Sequence, residues 1–120
     1  MIADPEALAA YTVHFDYDSS AVKSSERGHV QAVADALKSD SSAKLLIEGH
    51  CDERGTEEYN RSLGERRALS LRAALAKLGI DPSRVRTLSY GEDRPVDPGH
   101  NEAAWRQNRR GEFVLLHPKM

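Results

Sequence analysis

The chain has 120 residues, enough for one hydrophobic core but not for two domains of ordinary size. Hydrophobic residues make up 39% and charged residues 30%, a balance typical of globular domains, and the formal net charge of −2 gives no reason to expect nucleic acid as a partner. Cys51 is the only cysteine, so an internal disulfide is excluded and the fold must rest on packing.

Both ends are expected to be loosely held, and the chain is predicted to consist of a flexible N-terminal segment, residues 1–11, and one domain, residues 12–117. No stretch approaches the roughly 18 apolar residues of a membrane-spanning helix. Residues 1–11 also lack the basic start and the long apolar run of a signal peptide.

Hydrophobic periodicity predicts four strands and three helices. Alternation predicts a first strand over residues 12–17, and further strands are predicted over residues 44–48, 85–90 and 111–116. Apolar spacing at i, i+3, i+4 and i+7 predicts a first helix that Ser24 or Ser25 can cap, a second from Glu57 or Glu58 to Lys77, and a short third over residues 101–107. The order β-α-β-α-β-(short α)-β indicates an α/β (α+β) two-layer sandwich, with the helices on one face of a small mixed sheet.

The second predicted helix carries two polar residues on its apolar stripe. At 3.6 residues per turn, Asn60 and Arg67 share a face with Leu63 and Leu71. A guanidinium turned toward the core needs a carboxylate or several carbonyl groups, because an uncompensated buried charge costs on the order of several kcal/mol. Asp52, in the loop before the helix, is the nearest candidate in sequence. Either Asp52 and Arg67 pair with each other, or they flank a groove for a ligand with an ammonium and a carboxylate.

Four ordered segments give this chain a family resemblance. They are HFDYDSS (residues 14–20), IEGHCDERGTEEYNRSLGERRA (47–68), LSYGEDRP (88–95) and GHNEAAWRQNRR (99–110). With these segments the chain resembles the OmpA-like C-terminal domains, and most closely those of the peptidoglycan-associated lipoproteins. The likeness runs from about residue 13 to residue 116.

The resemblance implies noncovalent binding of peptidoglycan through the diaminopimelate of its stem peptide. The matching residues of this chain are Asp52 for the ammonium and Arg67 for the carboxylate, and Asn60 and Leu63 also match the helix pattern. Arg109 matches an arginine that enters the same groove. Asp16 matches a Phe-Asp pair at the end of the first strand, although a turn-forming role for Asp16 is an equal alternative.

The resemblance also implies a cellular setting. It places the domain at the periplasmic face of the outer membrane, anchors it there through an N-terminal lipid that this chain does not contain, and makes a TolB-like periplasmic protein of a Tol-Pal system its partner. Two alternatives stay open. One is a protein-interaction domain in which Asp52 and Arg67 form an internal salt bridge, and the other is the same wall-binding domain from an outer-membrane porin or a flagellar stator protein.

Metal binding and catalysis are weaker hypotheses. His50, Cys51 and Asp52 are all of metal-ligating type, but adjacent residues on an extended segment point to opposite sides, so no metal or other cofactor is expected. His50 is expected instead to orient the loop by hydrogen bonding. Carboxylates such as Glu53 and Glu57 are crowded in one exposed loop with no sign of a buried general acid, so the chain is not expected to be an enzyme.

Overall fold

The computed structural model describes residues 1–118. Five strands and three α-helices follow one another in this part of the chain: β1 (Ile2–Asp4), β2 (Val13–His14), α1 (Arg27–Ser39), β3 (Lys44–His50), α2 (Glu57–Lys77), β4 (Val85–Gly91), α3 (Glu102–Asn108) and β5 (Arg110–His117). The predicted order from β2 onward is confirmed.

The strands form a single mixed sheet in the order β1-β5-β3-β4, and β2 pairs with the other end of β5 on the same side as β1. β3 and β4 are parallel, whereas β5 runs antiparallel to its neighbours. The parallel pair is connected through α2, as a crossover between parallel strands requires. This arrangement places the C-terminal end of β3, the start of α2 and the start of β5 close together, at one end of the strands.

The hydrophobic core lies between the sheet and two helices. Leu45 and Ile47 of β3 and Phe113 of β5 point to the helical side and are buried, while the alternate residue Glu48 is only half-buried. Val33 of α1 belongs to the same core cluster. The predicted two-layer arrangement, with helices on one face of a small mixed sheet, is therefore confirmed.

Helix α2 carries the stripe that the sequence predicts. Asn60, Leu63, Arg67 and Leu71 are all buried. The helix begins where the side chain of Thr56 accepts a hydrogen bond from a backbone N–H of the first turn, and it ends before Gly79, where φ is +95°.

The N-terminal segment differs from the prediction of a flexible stretch over residues 1–11. Ile2–Asp4 pairs with the end of β5, and the side chain of Leu8 is buried in the core. A three-residue strand is too short to show alternation, and its partner lies more than a hundred residues away in the chain. Of the predicted loose C-terminal end, Lys119 and Met120 lie outside the described residues.

Two other local predictions are wrong in detail. The first predicted strand, residues 12–17, is shorter in the structure, where β2 covers only Val13–His14 and the chain turns through Asp18, a residue with φ of +53°. Neither serine caps α1: Ser24 begins a 3₁₀ turn that leads into the helix, and the N-cap residue Glu26 makes no capping bond through its side chain. That side chain accepts instead from the backbone N–H of His14 at 3.3 Å.

None of the helices formed within residues 1–118 is both long enough and apolar enough to cross a bilayer.

The packing of α2 on β3 depends on a pair of glycines. A Cβ on Gly49 would overlap the backbone carbonyl of Gly64 in α2. We expect Gly49→Ala to push the helix off the strand and to lower the free energy of unfolding by about 1–3 kcal/mol or more. Gly28→Ala is the matched control, because its Cβ meets no atom within 4 Å and alanine favours a helix by up to about 1 kcal/mol. Urea denaturation measures both, and unchanged stability in Gly49→Ala would contradict this packing.

Candidate functional site

Asp52 lies in the loop between β3 and α2, with its side chain buried. One carboxylate oxygen accepts from the backbone N–H of Arg54 at 2.9 Å and from its Nε at 3.2 Å. The other accepts from Arg54 Nη2 at 2.8 Å and from Arg109 Nη1 at 3.4 Å. Burial acts to raise the pKa of Asp52, but the bonds from the two arginines outweigh burial and lower the pKa below its usual 3.8. Asp52 is thus a buried, ionised carboxylate at neutral pH.

Arg54 covers this carboxylate. Its guanidinium is stacked between two aromatic rings, at 4.0 Å from the ring centre of Tyr17 and 4.1 Å from that of Trp105. The hydrogen bonds to Asp52 raise the pKa of Arg54. The indole N–H of Trp105 donates to Glu53 at 3.0 Å, so the ring is held in place beside the loop.

Arg67 reaches the same loop from α2 but bonds only to backbone there. Its Nε donates to the carbonyl of Ser19 at 2.8 Å, Nη1 to that of His50 at 2.9 Å, and Nη2 to that of Asp16 at 3.1 Å. Burial lowers the pKa of Arg67. The three bonds use three of the five N–H groups of a guanidinium, which leaves two that these carbonyls do not occupy.

The alternative in which Asp52 and Arg67 form an internal salt bridge is therefore wrong. Asp52 pairs with Arg54 and Arg109, and Arg67 is satisfied by carbonyl oxygens. Several carbonyls are as good a solution for a buried guanidinium as one carboxylate, and the spacing of residues in the sequence does not distinguish the two.

Both residues nevertheless line one narrow opening of about 50 Å³, which we call the Asp52 cleft. Its walls come from the loop after β2, the loop before α2, and the first turns of α2: Tyr17, Asp18, Cys51, Asp52, Arg54, Gly55, Tyr59, Asn60, Leu63 and Arg67. A wider groove of about 530 Å³ between α1 and α2 contains none of the predicted site residues. The N-terminus of α2 adjoins the Asp52 cleft and favours an anionic group there.

Asn60 and Leu63 lie where the sequence predicts, in the wall of the Asp52 cleft. Leu63 provides an apolar surface. The amide nitrogen of Asn60 donates to the carbonyl oxygens of Asp52 at 3.3 Å and Arg54 at 3.0 Å, and to a carboxylate oxygen of Glu92 at 2.9 Å. Asn60 therefore holds the loop that presents Asp52.

Arg109 supports the site from behind. Its Nε donates to the carbonyl of Phe15 at 2.9 Å, and its Nη2 bonds to Glu102 at 3.0 Å, so its contact with Asp52 is one of three. Its neighbour Arg110 points to the other face of the sheet and bonds there to Glu112, as expected for adjacent residues entering a strand.

Asp16 is not brought into the Asp52 cleft by its side chain. The carboxylate is exposed and pairs with Lys23 at 3.1 Å. It lines a neighbouring hollow together with Arg109. Only the backbone carbonyl of Asp16 takes part in the site, as one of the acceptors for Arg67.

His50 and Cys51 have other roles than those considered from the sequence. His50 was expected to orient the loop by hydrogen bonding, but both of its ring nitrogens lack a hydrogen-bond partner, and the ring stacks on Tyr90 at 5.4 Å. The thiol of Cys51 donates to the carbonyl of Asn60, and burial raises its pKa to about 11, which disfavours the thiolate that a metal needs.

The adjacent carboxylate of Glu53 has its pKa lowered by hydrogen bonds from Trp105 and His100. A general acid needs the opposite shift, so this carboxylate does not suit acid catalysis.

Sequence reasoning missed the aromatic and cationic cover of the site. Tyr17 and Trp105 come from distant segments and meet only around Arg54. Tyr59 lines the Asp52 cleft, and its hydroxyl donates a hydrogen bond to Asp18. One signal was available: Arg54 follows Asp52 by two residues, a spacing at which an aspartate commonly bonds to the chain just ahead.

The buried charges of the site are unequal. Arg67 and Arg109 are buried and Arg54 is partly buried, whereas Asp52 is the one buried carboxylate beside them; the other carboxylates nearby, Asp18, Glu92 and Glu102, are exposed or half-buried. This balance favours a ligand that brings an anion together with the cation that Asp52 accepts.

Curated relatives and a solved structure are similar to nearly all of this chain. The peptidoglycan-associated lipoprotein of Pseudomonas aeruginosa is 45% identical over 113 residues, which is 93% of this chain and 67% of that protein. The protein of the same name from Legionella pneumophila is 45% identical over 100 residues, which is 83% of this chain and 57% of that protein. This chain thus spans between about half and two thirds of their length.

The crystal structure of the peptidoglycan-associated lipoprotein from Burkholderia pseudomallei superposes with a TM-score of 0.86 at 42% identity and covers 93% of this chain and 96% of that one. The OmpA family matches residues 14–109, from the end of β2 through the arginine behind Asp52. Because the family matches most of the chain and a relative is 45% identical in sequence, the chain belongs to the OmpA family.

Proposed function

We propose that this domain binds peptidoglycan noncovalently through the diaminopimelate of the stem peptide and so anchors the outer membrane to the cell wall. The observation that carries the proposal is the Asp52 cleft, in which a buried carboxylate and a buried guanidinium line one opening without pairing with each other. The free end of diaminopimelate bears an ammonium and a carboxylate on one carbon, and it presents the complementary charges.

The chemistry of the two residues suits this ligand. Asp52 accepts from the ammonium, and the N–H groups of Arg67 that the backbone carbonyls leave unused donate to the carboxylate. Charge-assisted hydrogen bonds contribute about 1.5–3 kcal/mol each, so two or three support micromolar affinity without any covalent step. The function proposed is binding, with no chemical transformation.

The relatives support the cellular setting. Because three of them carry the name peptidoglycan-associated lipoprotein, we favour that origin over an outer-membrane porin or a flagellar stator protein. We propose that the domain works at the periplasmic face of the outer membrane, held by a lipid anchor outside these residues. A TolB-like periplasmic protein of a Tol-Pal system as partner stays a prediction that rests on the resemblance alone.

Calorimetric titration tests the wall-binding proposal. We expect a muropeptide that contains diaminopimelate to bind at least about tenfold more tightly than its lysine counterpart, because lysine lacks the second carboxylate. Asp52→Asn and Arg67→Lys should each weaken binding by roughly tenfold or more. Arg67→Lys is preferred to alanine, which would leave three carbonyls without their donor.

Arg61→Gln is the matched control for this titration, because Arg61 is an exposed arginine of α2 that pairs with Asp93. Each variant is first checked for wild-type-like unfolding. A well-folded wild-type domain that binds neither muropeptide, or both equally, would contradict the proposal.

Amidation of the ligand tests the role of Arg67 separately. Conversion of the side-chain carboxylate of diaminopimelate to an amide removes the anion that the guanidinium binds, so affinity should fall in the wild-type domain. In Arg67→Lys the loss should be smaller, because part of the interaction is already absent. The same calorimetric titration measures the loss of affinity on amidation. Equal wild-type affinity for the amidated and free forms would contradict the role assigned to Arg67.

The depressed pKa of Asp52 makes a pH prediction. The pKa of this carboxyl is lower in the folded state than in the unfolded state, where it is about 3.8. The ionised carboxylate therefore stabilises the fold at pH values above the unfolded-state pKa, and this contribution is lost as pH falls through the folded-state pKa. The difference in free energy of unfolding between wild type and Asp52→Asn should therefore be constant from pH 7 to about 5 and shrink below about pH 4. Denaturant unfolding at several pH values measures it, and a difference that grows toward low pH would contradict this account.

A further inference from the structure

Asp52 already has a cation in the position that the proposed ligand needs. The Nε and Nη2 groups of Arg54 bond to the two different oxygens of its carboxylate, at 3.2 and 2.8 Å. This fork geometry is the strongest pairing that an arginine makes with a carboxylate. An incoming ammonium therefore competes with Arg54 for the same oxygens.

Of the two arginines that bond to Asp52, only Arg54 is positioned so that its guanidinium can move away from the carboxylate. Its side chain is 30% exposed, whereas that of Arg109 is 6% exposed and is also tied to Phe15 and Glu102. Arg54 makes its other contacts through its faces, to the rings of Tyr17 and Trp105, and through Nη2 to the half-exposed carboxylate of Glu102 at 4.0 Å. Face contacts and solvent-exposed ion pairs are each worth only about 0.5–1 kcal/mol. Its guanidinium can swing outward while its backbone N–H keeps its bond to Asp52.

We propose that Arg54 is a specificity-determining residue of the Asp52 cleft: a ligand ammonium displaces its guanidinium from Asp52, and a ligand that also brings a carboxylate gives the displaced guanidinium a partner inside the cleft. Without that carboxylate, the nearby partner left to Arg54 is the half-exposed Glu102. This inference rests on the proposed function and deepens it. It identifies the preferred ligand class as a zwitterionic end group, and it predicts a lower affinity for the lone ammonium of a lysine side chain.

The discrimination follows from the charge balance of the site. A lone ammonium breaks the pairing of Arg54 with Asp52 and leaves Arg54, Arg67 and Arg109 facing an additional positive charge. A zwitterion breaks the same pairing, but its carboxylate lies among these guanidinium groups and compensates for the loss. Specificity of this kind comes from a cost imposed on the wrong ligand as well as from contacts with the right one.

The test compares wild type with Arg54→Gln in calorimetric titrations with a diaminopimelate muropeptide and with its lysine counterpart. Removing the competing cation should raise affinity for the lysine form more than for the diaminopimelate form, so the selectivity ratio should fall on the order of tenfold. Arg54→Gln keeps the backbone bond to Asp52 and the Arg109 contact, so the fold is expected to persist. Arg61→Gln is the control, because Arg61 is exposed and lies outside the cleft, and this variant should keep the wild-type selectivity ratio.

Trp105 supplies an independent readout, because it is the only tryptophan of the chain and its ring stacks on Arg54. Saturating wild type with the diaminopimelate muropeptide should change its fluorescence as the guanidinium leaves the ring, and the change should be reduced in Arg54→Gln. A merely structural role of Arg54 would not link this signal to the ligand.

The outcomes separate this inference from the proposed function. Wild-type binding with an unchanged selectivity ratio in Arg54→Gln would overturn the role of Arg54 and leave wall binding intact, as would wild-type binding with no change in Trp105 fluorescence. A folded wild-type domain that binds neither muropeptide would overturn the proposed function, and this inference with it.

Discussion

The guanidinium of Arg67 is the constraint on which the rest of the site depends. A buried cation costs several kcal/mol unless its donors are satisfied, so the chain must keep three carbonyl groups in place around it. Those carbonyls belong to Asp16 and Ser19 in the loop after β2 and to His50 at the end of β3. One side chain thereby ties α2 to two other segments, the loop after β2 and the end of β3, and the three together form one side of the Asp52 cleft.

The site combines rigid and movable charges. Arg67 and Arg109 are buried and bonded to backbone carbonyls, so their positions are set before any ligand arrives. Arg54 is the exception, since it is partly exposed and held mainly by Asp52 and two aromatic faces. A preorganised pair of cations with one displaceable neighbour suits recognition of a small zwitterion, because little ordering remains to be done on binding.

Much of this domain was predictable where the pattern is local. Strands β3 and β5 and the 3.6-residue stripe of α2 appear in the structure as predicted, down to the buried Asn60 and Arg67. β1 was missed because three residues carry no readable period and its pairing with β5 is a long-range event. The serine cap of α1 was wrong because Glu26 is recruited by the backbone of β2.

Sequence patterns alone were enough to predict an α/β fold, an arginine on the apolar face of α2, and an aspartate in the loop before that helix. These conclusions need only helical and strand periodicity, which is a property of neighbouring residues. The pairing of the charges became visible only in the folded chain, where Asp52 pairs with Arg54 and Arg109 and Arg67 bonds to carbonyl oxygens. Several partners satisfy a guanidinium equally well, so the choice depends on which groups the folded chain brings within hydrogen-bond distance.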